Sequence, residues 1–278
     1  MRNKPTILPA ILLLAALPFG ANANPRCEHA EARDLKLDLA GVRTVVFDIG
    51  AQELVLIANK GAAVSVAAKA CASNTALMPQ LALTQARVGD KLVVRAHRET
   101  RLGWNSDKRY AYLQVRASLP DTLPVQVKVG SGDAVVSGVA SLSLDVGSGG
   151  AKASGIRGMV HADVGSGDIE LDDIGGLTVI SIGSGDLVAR NVRGASRIGS
   201  VGSGDLGISG TEGTVQLGSI GSGDAELSDI GGDIDVDRIG SGDLGVKRTR
   251  GHLKVGRIGS GSVNHLAVAG SVDLPRKD

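Results

Sequence analysis

The tetrapeptide Gly-Ser-Gly-Asp recurs through the second half of the chain at a nearly constant spacing. Its Gly-Ser-Gly core begins at Gly130, Gly147, Gly165, Gly183, Gly202, Gly221, Gly240 and Gly259. Successive copies are separated by 17, 18, 18, 19, 19, 19 and 19 residues. A repeat of this length is typical of a solenoid, in which each coil buries its apolar side chains only against neighbouring coils. The spacing therefore predicts a stacked array rather than a compact globular core.

The apolar residues form columns when the coils are aligned on Gly-Ser-Gly. The residue before the first glycine is always β-branched: Val129, Val146, Val164, Ile182, Val201, Ile220, Ile239 and Ile258. Apolar residues also follow the Asp position directly and recur two and five residues later, with His265 as an exception. Like side chains stacked about 4.8 Å apart are what a β-solenoid requires. We therefore predict an all-β, parallel β-helix-like solenoid of about eight coils, each with two short strands and two turns.

Two physical reasons can account for the glycines of the repeat. Glycine adopts positive φ without a steric penalty, so it allows a sharp turn. A residue without a side chain also lets successive coils approach closely. A second glycine ends most first strands, for example Gly175 and Gly194. The sequence therefore predicts a glycine at each of the two corners of a coil.

Composition supports a thin core of aliphatic side chains. The chain contains 40 glycines in 278 residues, and Phe, Tyr and Trp together make up only 2%. The glycines do not recur at every third position, which excludes collagen. A hydrophobic content of 42% argues against disorder, and a net charge of +1 does not predict nucleic-acid binding.

The first 23 residues have the organisation of a secretory signal peptide. Arg2 and Lys4 precede an apolar run over residues 7–19, and an Ala-Asn-Ala cleavage motif follows at 21–23. This run is too short to cross a membrane, and no later stretch is apolar for long enough. We predict a signal peptide over 1–23, no transmembrane segment, and an exported protein that is periplasmic, outer-membrane associated or secreted.

Cys27 and Cys71 are the two cysteines of the chain. In an oxidising compartment a single pair is most simply a disulfide. A redox or metal role would need C-x-x-C spacing or nearby histidine partners, which the sequence does not contain. Closing a loop of about 45 residues would stabilise the fold by roughly 4 kcal/mol in the chain-entropy model.

Residues 24–123 predict a smaller, non-repetitive β-rich domain that precedes the solenoid domain over 124–278. The predicted strands cover residues 35–39, 42–49, 53–58, 64–70, 81–88, 91–96 and 110–119. Gly89 and Asp90 separate two of them as a hairpin turn. Pro120 and Pro124 mark the junction, since proline is disfavoured inside a sheet. We expect a β-sandwich-like or solenoid-like cap.

A polar, basic stretch over residues 97–109 lies between two of these predicted strands. It contains Arg101, Trp104, Lys108 and Arg109. One interpretation is a binding loop that offers an exposed aromatic ring and cations to a glycan or an anionic partner. The other, which we favour, is a solvated hairpin tip whose tryptophan folds back on the sheet.

An aspartate column is the one repeated feature with possible chemistry. Its contiguous members are Asp168, Asp186, Asp205, Asp224 and Asp243, after Asp133 and a break at Gly150. Unit charges about 4.8 Å apart repel by roughly 1 kcal/mol in water. We favour aspartates that accept backbone N–H groups in their own turns. Calcium bound along the column, as in the glycine-rich β-roll, is the alternative and the one candidate cofactor, although the β-roll motif places its aspartate differently.

The segments 115–120 and 123–129, together with the serial Ser-Gly-Asp turns, resemble the bacterial putative-adhesin β-strand-repeat proteins, relatives of those with a "head GIN" domain. The resemblance spans residues 35–274. It implies an exported β-solenoid and supplies no catalytic or binding residue to carry over. An unidentified envelope, glycan or protein surface is the partner that such a scaffold implies.

A polysaccharide-processing enzyme is a further alternative, since parallel β-helices also carry such activities. An active site would need carboxylates and cations clustered on one outer face. The outward candidates do not recur as one cluster: Glu170, Arg190, Glu226, Asp235, Asp237 and Lys247. The histidines lack metal-ligand spacing. We therefore favour a non-catalytic scaffold.

Overall fold

The structure is a computed structural model that describes residues 27–99 and 109–275. Its N-terminal elements are β1 (His29–Leu35), β2 (Thr44–Gly50), β3 (Glu53–Asn59), β4 (Ser65–Ala72), a 3₁₀ helix (Thr75–Gln80), β5 (Leu81–Val88), β6 (Lys91–Arg98) and β7 (Ala111–Pro120). The predicted signal peptide lies outside the described residues.

Strands β8 to β22 form the repetitive part. They are β8 (Pro124–Val129), β9 (Asp133–Ser137), β10 (Ser141–Val146), β11 (Gly150–Val164), β12 (Asp168–Ile182), β13 (Leu187–Val192), β14 (Ser196–Val201), β15 (Leu206–Thr211), β16 (Val215–Ile220), β17 (Ala225–Ile230), β18 (Ile234–Ile239), β19 (Leu244–Thr249), β20 (Leu253–Ile258), β21 (Val263–Val268) and β22 (Val272–Asp273).

The strands build two sheets that face each other across the core. Their strand pairs are parallel except for β5–β6, β4–β7 and β1–β4 at the N-terminal end. Sheet 1 runs β5, β6, β2, β8, β10, the C-terminal parts of β11 and β12, then β14, β16, β18, β20 and β22. Sheet 2 runs β1, β4, β7, β3, β9, the N-terminal parts of β11 and β12, then β13, β15, β17, β19 and β21. The prediction of a β-solenoid with about eight coils and two strands per coil is confirmed.

The N-terminal strands join the solenoid out of sequence order. Strand β2 pairs in parallel with β6 on one side and with β8 on the other. Strand β3 is placed in the same way between β7 and β9. The coil formed by β2 and β3 is therefore inserted between a coil formed by β6 and β7 and the first Gly-Ser-Gly coil.

Antiparallel strands cover the N-terminal end of the stack. Strand β5 pairs with β6 through the predicted hairpin at Gly89, and β4 pairs with β7. Strand β1 pairs with β4 and ends at Leu35, so the predicted strand over 35–39 is wrong in position. The Cys27–Cys71 disulfide, as predicted, fastens the start of β1 to β4 across a separation of 44 residues.

The predicted apolar columns are the core of the solenoid. The column before the first glycine is buried from Val129 to Ile239, and only its last member, Ile258, is partly exposed. The column after the Asp position is likewise buried from Ala134 to Leu244. His265 continues an inward column in β21, the last strand of sheet 2, where no further coil covers it, and is exposed.

Within the described ranges, no helix has the length and apolar character that a membrane span requires.

Candidate functional site

The Gly-Ser-Gly corner is held to the preceding coil by backbone hydrogen bonds. The N–H of Ser222 donates to the carbonyl of Gly202 at 2.8 Å, and the N–H of Gly223 donates to the same carbonyl at 3.0 Å. The N–H of Gly221 donates to Val201 at 2.7 Å. The hydrogen bonding of the sheet thus continues around the corner.

Close approach of coils, rather than positive φ, explains the glycines of these corners. A Cβ on the second glycine, such as Gly204 or Gly223, would lie under 3.0 Å from the backbone of the same position one coil earlier. None of the glycines in the eight Gly-Ser-Gly cores, all within the described residues, has a positive φ. Of the two reasons considered for these glycines, the close approach of coils is confirmed and the positive φ is wrong.

The aspartate column forms a hydrogen-bonded ladder along the solenoid. Each Asp Oδ1 accepts the backbone N–H of the equivalent residue in the next coil. The N–H of Asp186 donates to Asp168 at 3.3 Å, and the three later bonds, up to the one from Asp243 to Asp224, measure 2.8–3.0 Å. Asp243 ends the ladder by accepting both the N–H and the hydroxyl of Ser262 at 2.8 Å. The predicted acceptor role is confirmed, but the donor lies in the next coil and not in the aspartate's own turn.

The ladder changes what the calcium alternative would require. Oδ1 of each carboxylate already accepts an amide, which leaves fewer lone pairs for a cation. Residues 27–99 and 109–275 contain no group of three or more His, Cys, Asp or Glu side chains arranged to hold a metal ion. Calcium binding by Asp168, Asp186, Asp205, Asp224 and Asp243 stays a prediction.

The opposite corner contains a column of left-handed residues that the sequence analysis missed. Its members all have φ between +53° and +76°: Gly138, Gly155, Asp173, Asn191, Gly210, Asp229, Arg248 and Ala267. Each directly precedes a member of an apolar column, such as Ile230 after Asp229. The left-handed residue therefore bends the strand so that the next side chain turns into the core.

An ion pair joins two neighbours in this column. Nε and an Nη atom of Arg248 donate to the two carboxylate oxygens of Asp229 at 2.6 and 2.7 Å. The hydrogen bond from Arg248 holds the pKa of Asp229 below its ordinary value of 3.8, and the same bond raises the pKa of Arg248. Residues at the same position in adjacent coils are thus close enough for the bidentate contact that arginine makes with a carboxylate.

The outward residues considered for an enzyme lie on different sheets. Asp235 and Asp237 belong to β18 in sheet 1, whereas Glu226 and Lys247 form an ion pair at 3.6 Å on sheet 2. Glu170 pairs with Lys152 at 3.0 Å, also on sheet 2. These contacts are those of a solvated β-surface, and they do not gather the six residues into one cluster.

The predicted binding loop falls almost entirely on residues that the structure leaves undescribed. Arg101, Trp104 and Lys108 lie outside the described residues. Arg109 is described and is exposed two residues before the start of β7. Both interpretations of the loop therefore stay predictions.

Solved structures of other proteins share this fold over most of their length. A putative lipid binding protein from Parabacteroides distasonis is 18% identical with a TM-score of 0.61, and the match covers 86% of this chain and 97% of that one. Putative adhesins from Parabacteroides merdae and Parabacteroides distasonis are 15% and 14% identical, with TM-scores of 0.58 and 0.57 and the same coverages.

The resemblance to the putative-adhesin repeat proteins is confirmed at the level of the fold. No protein-family model and no curated protein matches the sequence. The three solved structures are described as putative adhesins or as a putative lipid binding protein, and none of the three is described as an enzyme.

Proposed function

We propose that this protein is an exported, non-catalytic β-solenoid scaffold that binds an envelope, glycan or protein surface through its outward columns. The carrying observation is the register of the coils, which places equivalent outward residues in line from one coil to the next. Such a ladder is rigid and offers the same chemistry repeatedly, which favours binding through many weak contacts. The fold shared with proteins described as putative adhesins supports this proposal.

Export is supported by the signal-peptide pattern and by the disulfide, which is typical of oxidising compartments. The test is expression of the full chain with a C-terminal tag in a Gram-negative host, followed by fractionation and mass measurement. We expect processed protein that begins at Asn24 and contains the Cys27–Cys71 bond. Unprocessed chain that stays in the cytoplasm would contradict export.

Binding is tested by sedimentation of the purified, labelled chain with washed bacterial envelopes. We expect saturable binding that excess unlabelled chain displaces, and no turnover of acidic polysaccharides. Absence of saturable binding, together with cleavage of a defined polysaccharide, would contradict the scaffold function and support the enzyme alternative.

A further inference from the structure

Two exposed arginines lie side by side on the outer face of sheet 1. Arg238 on β18 and Arg257 on β20 are register partners, so they occupy one outward column in adjacent coils. The same column contains Ser200 and Ser219 in the two preceding coils. Because adjacent strands lie about 4.8 Å apart, the two side chains leave the sheet side by side.

Five cations of the solenoid pair with carboxylates. The pairs are Lys152–Glu170, Arg157–Asp121, Arg193–Asp173, Lys247–Glu226 and Arg248–Asp229. Arg238 and Arg257 make no ion pair and no side-chain hydrogen bond with the described residues, as is also true of Arg190, Arg250 and Lys254, but only Arg238 and Arg257 are register partners of one another. Asp237 lies in the neighbouring column and pairs with neither. Two like charges at this spacing repel by roughly 1 kcal/mol in water. An anion bound between them would replace this repulsion with attraction to both arginines.

The arginines line a groove of about 750 Å³. Its walls include the half-buried serines Ser200 and Ser219 and the glycines of the adjoining corners, such as Gly240. The Ser219 hydroxyl, which forms no side-chain hydrogen bond within residues 27–99 and 109–275, lies one coil from Arg238.

We propose that Arg238, Arg257 and Ser219 form a binding site for a tetrahedral oxyanion, a phosphate or sulfate group. The planar guanidinium fork matches two oxygens of such a group, and two forks in register can hold one anion from adjacent coils. Ser219 adds a hydroxyl donor beside them. The inference rests on the proposed function, because it names the class of ligand that one outward surface of the scaffold binds.

The test is calorimetric titration of the purified chain with three anionic probes. These are inorganic pyrophosphate, dextran sulfate, and vesicles that contain phosphatidylglycerol, each beside a neutral counterpart where one exists (dextran, phosphatidylcholine vesicles). The variant is Arg238→Gln combined with Arg257→Gln. The matched control is Arg190→Gln combined with Arg250→Gln, which removes the same charge from exposed arginines elsewhere. Melting curves verify that both double variants fold.

We expect the first double variant to lose about tenfold or more in affinity, as the loss of charge-assisted hydrogen bonds implies. The control should stay within about twofold, and binding should weaken with added salt. The probe that binds best identifies the source of the oxyanion as free phosphate, a sulfated glycan or a lipid headgroup. Absence of binding to all three probes, or equal losses in the two double variants, would overturn the site.

Envelope sedimentation with the same variants separates this inference from the proposed function. Anion binding without envelope binding would contradict the scaffold function and leave the oxyanion site standing. Envelope binding without anion binding would contradict the oxyanion site and leave the scaffold function standing.

Discussion

The Oδ1 atom of Asp224 accepts the backbone N–H of Asp243, the equivalent residue of the next coil, at 2.8 Å. This bond runs along the solenoid, so each carboxylate satisfies an amide that a corner would otherwise leave to solvent. It also places like charges about 4.8 Å apart, where their repulsion costs roughly 1 kcal/mol in water. The hydrogen bond requires only an acceptor oxygen, whereas the repulsion between neighbouring carboxylates requires their charge.

Substitutions at Asp224 separate these two effects. Asp224→Asn keeps the acceptor oxygen and removes the charge, so we expect an unchanged or raised melting temperature. Asp224→Ala removes both, and we expect its free energy of unfolding to lie about 1 kcal/mol below that of Asp224→Asn. Urea unfolding of the two variants and the wild type measures the difference. Equal stability of the Ala and Asn variants would show that the hydrogen bond contributes nothing.

Calcium should raise the melting temperature no more than magnesium at equal concentration. The reason is that Oδ1 of each ladder carboxylate, such as Asp205 or Asp224, already accepts an amide. Melting curves with calcium, magnesium and EGTA provide the measurement. A large rise with calcium alone, reversed by EGTA and absent in Asp224→Asn, would establish the calcium alternative.

The solenoid could be predicted because its cause is periodic and local. Each inward position repeats one kind of side chain every coil, so the alignment of Val129 through Ile258 directly identified the core. The out-of-order coil of β2 and β3 could not be predicted, since strand pairing between distant segments leaves no repeat in the sequence. The glycines were found, but whether backbone angle or close approach requires them depends on the distance between coils.

Two glycine variants test the close-approach explanation. Gly223→Ala places a Cβ under 3.0 Å from the backbone of Gly204, so we expect a loss of about 2 kcal/mol or more. Gly207→Ala is the matched control, because its Cβ would meet only Val188 side-chain atoms at 3.7 Å. Removing glycine freedom there should stabilise by about 0.4–1 kcal/mol. Thermal and urea unfolding compare the two, and a harmless Gly223→Ala would refute the explanation.

The left-handed column was missed because its residue types vary. Gly138 and Gly155 belong to it, but Asp173 and Asn191 take the position in later coils. Glycine also follows the first strand of later coils, as at Gly175 and Gly194, so nothing in the sequence separated these two glycines from the corner glycines. Aspartate and asparagine do tolerate this conformation, which is the signal that could have revealed the column.

Substitutions at Gly210 test whether this column requires a left-handed backbone conformation. Its φ is +68°, so Gly210→Ala should cost about 1 kcal/mol in the free energy of unfolding. Gly210→Asn should cost less, because asparagine occupies the equivalent position at Asn191 in the preceding coil. Both are measured by urea unfolding. A smaller loss for alanine than for asparagine would contradict the assignment.

The candidate site was less predictable than the fold. The aspartates were identified, but their donors lie one coil away, at a distance that depends on stacking. Arg238 and Arg257 drew no attention in the sequence, because their column contains serine in earlier coils. Only the register of β18 and β20 places them together.

Arg248→Gln tests the electrostatic link in the left-handed column. Arg248 lowers the pKa of Asp229, mainly through its hydrogen bond, and both side chains are exposed. A carboxyl with a lower pKa in the folded state stabilises the fold at pH values above its unfolded pKa. That contribution is lost as the pH falls through the folded pKa.

We therefore expect the pKa of Asp229, followed by NMR titration, to rise toward 3.8 in Arg248→Gln. The variant should also lose less stability than the wild type between neutral pH and the folded pKa of Asp229. Added salt should reduce the difference, because an exposed pair is screened. Arg190→Gln is the control, since Arg190 lies one position before the left-handed column and is exposed. An Asp229 pKa that is the same in both variants would show that the bidentate contact does not persist in solution.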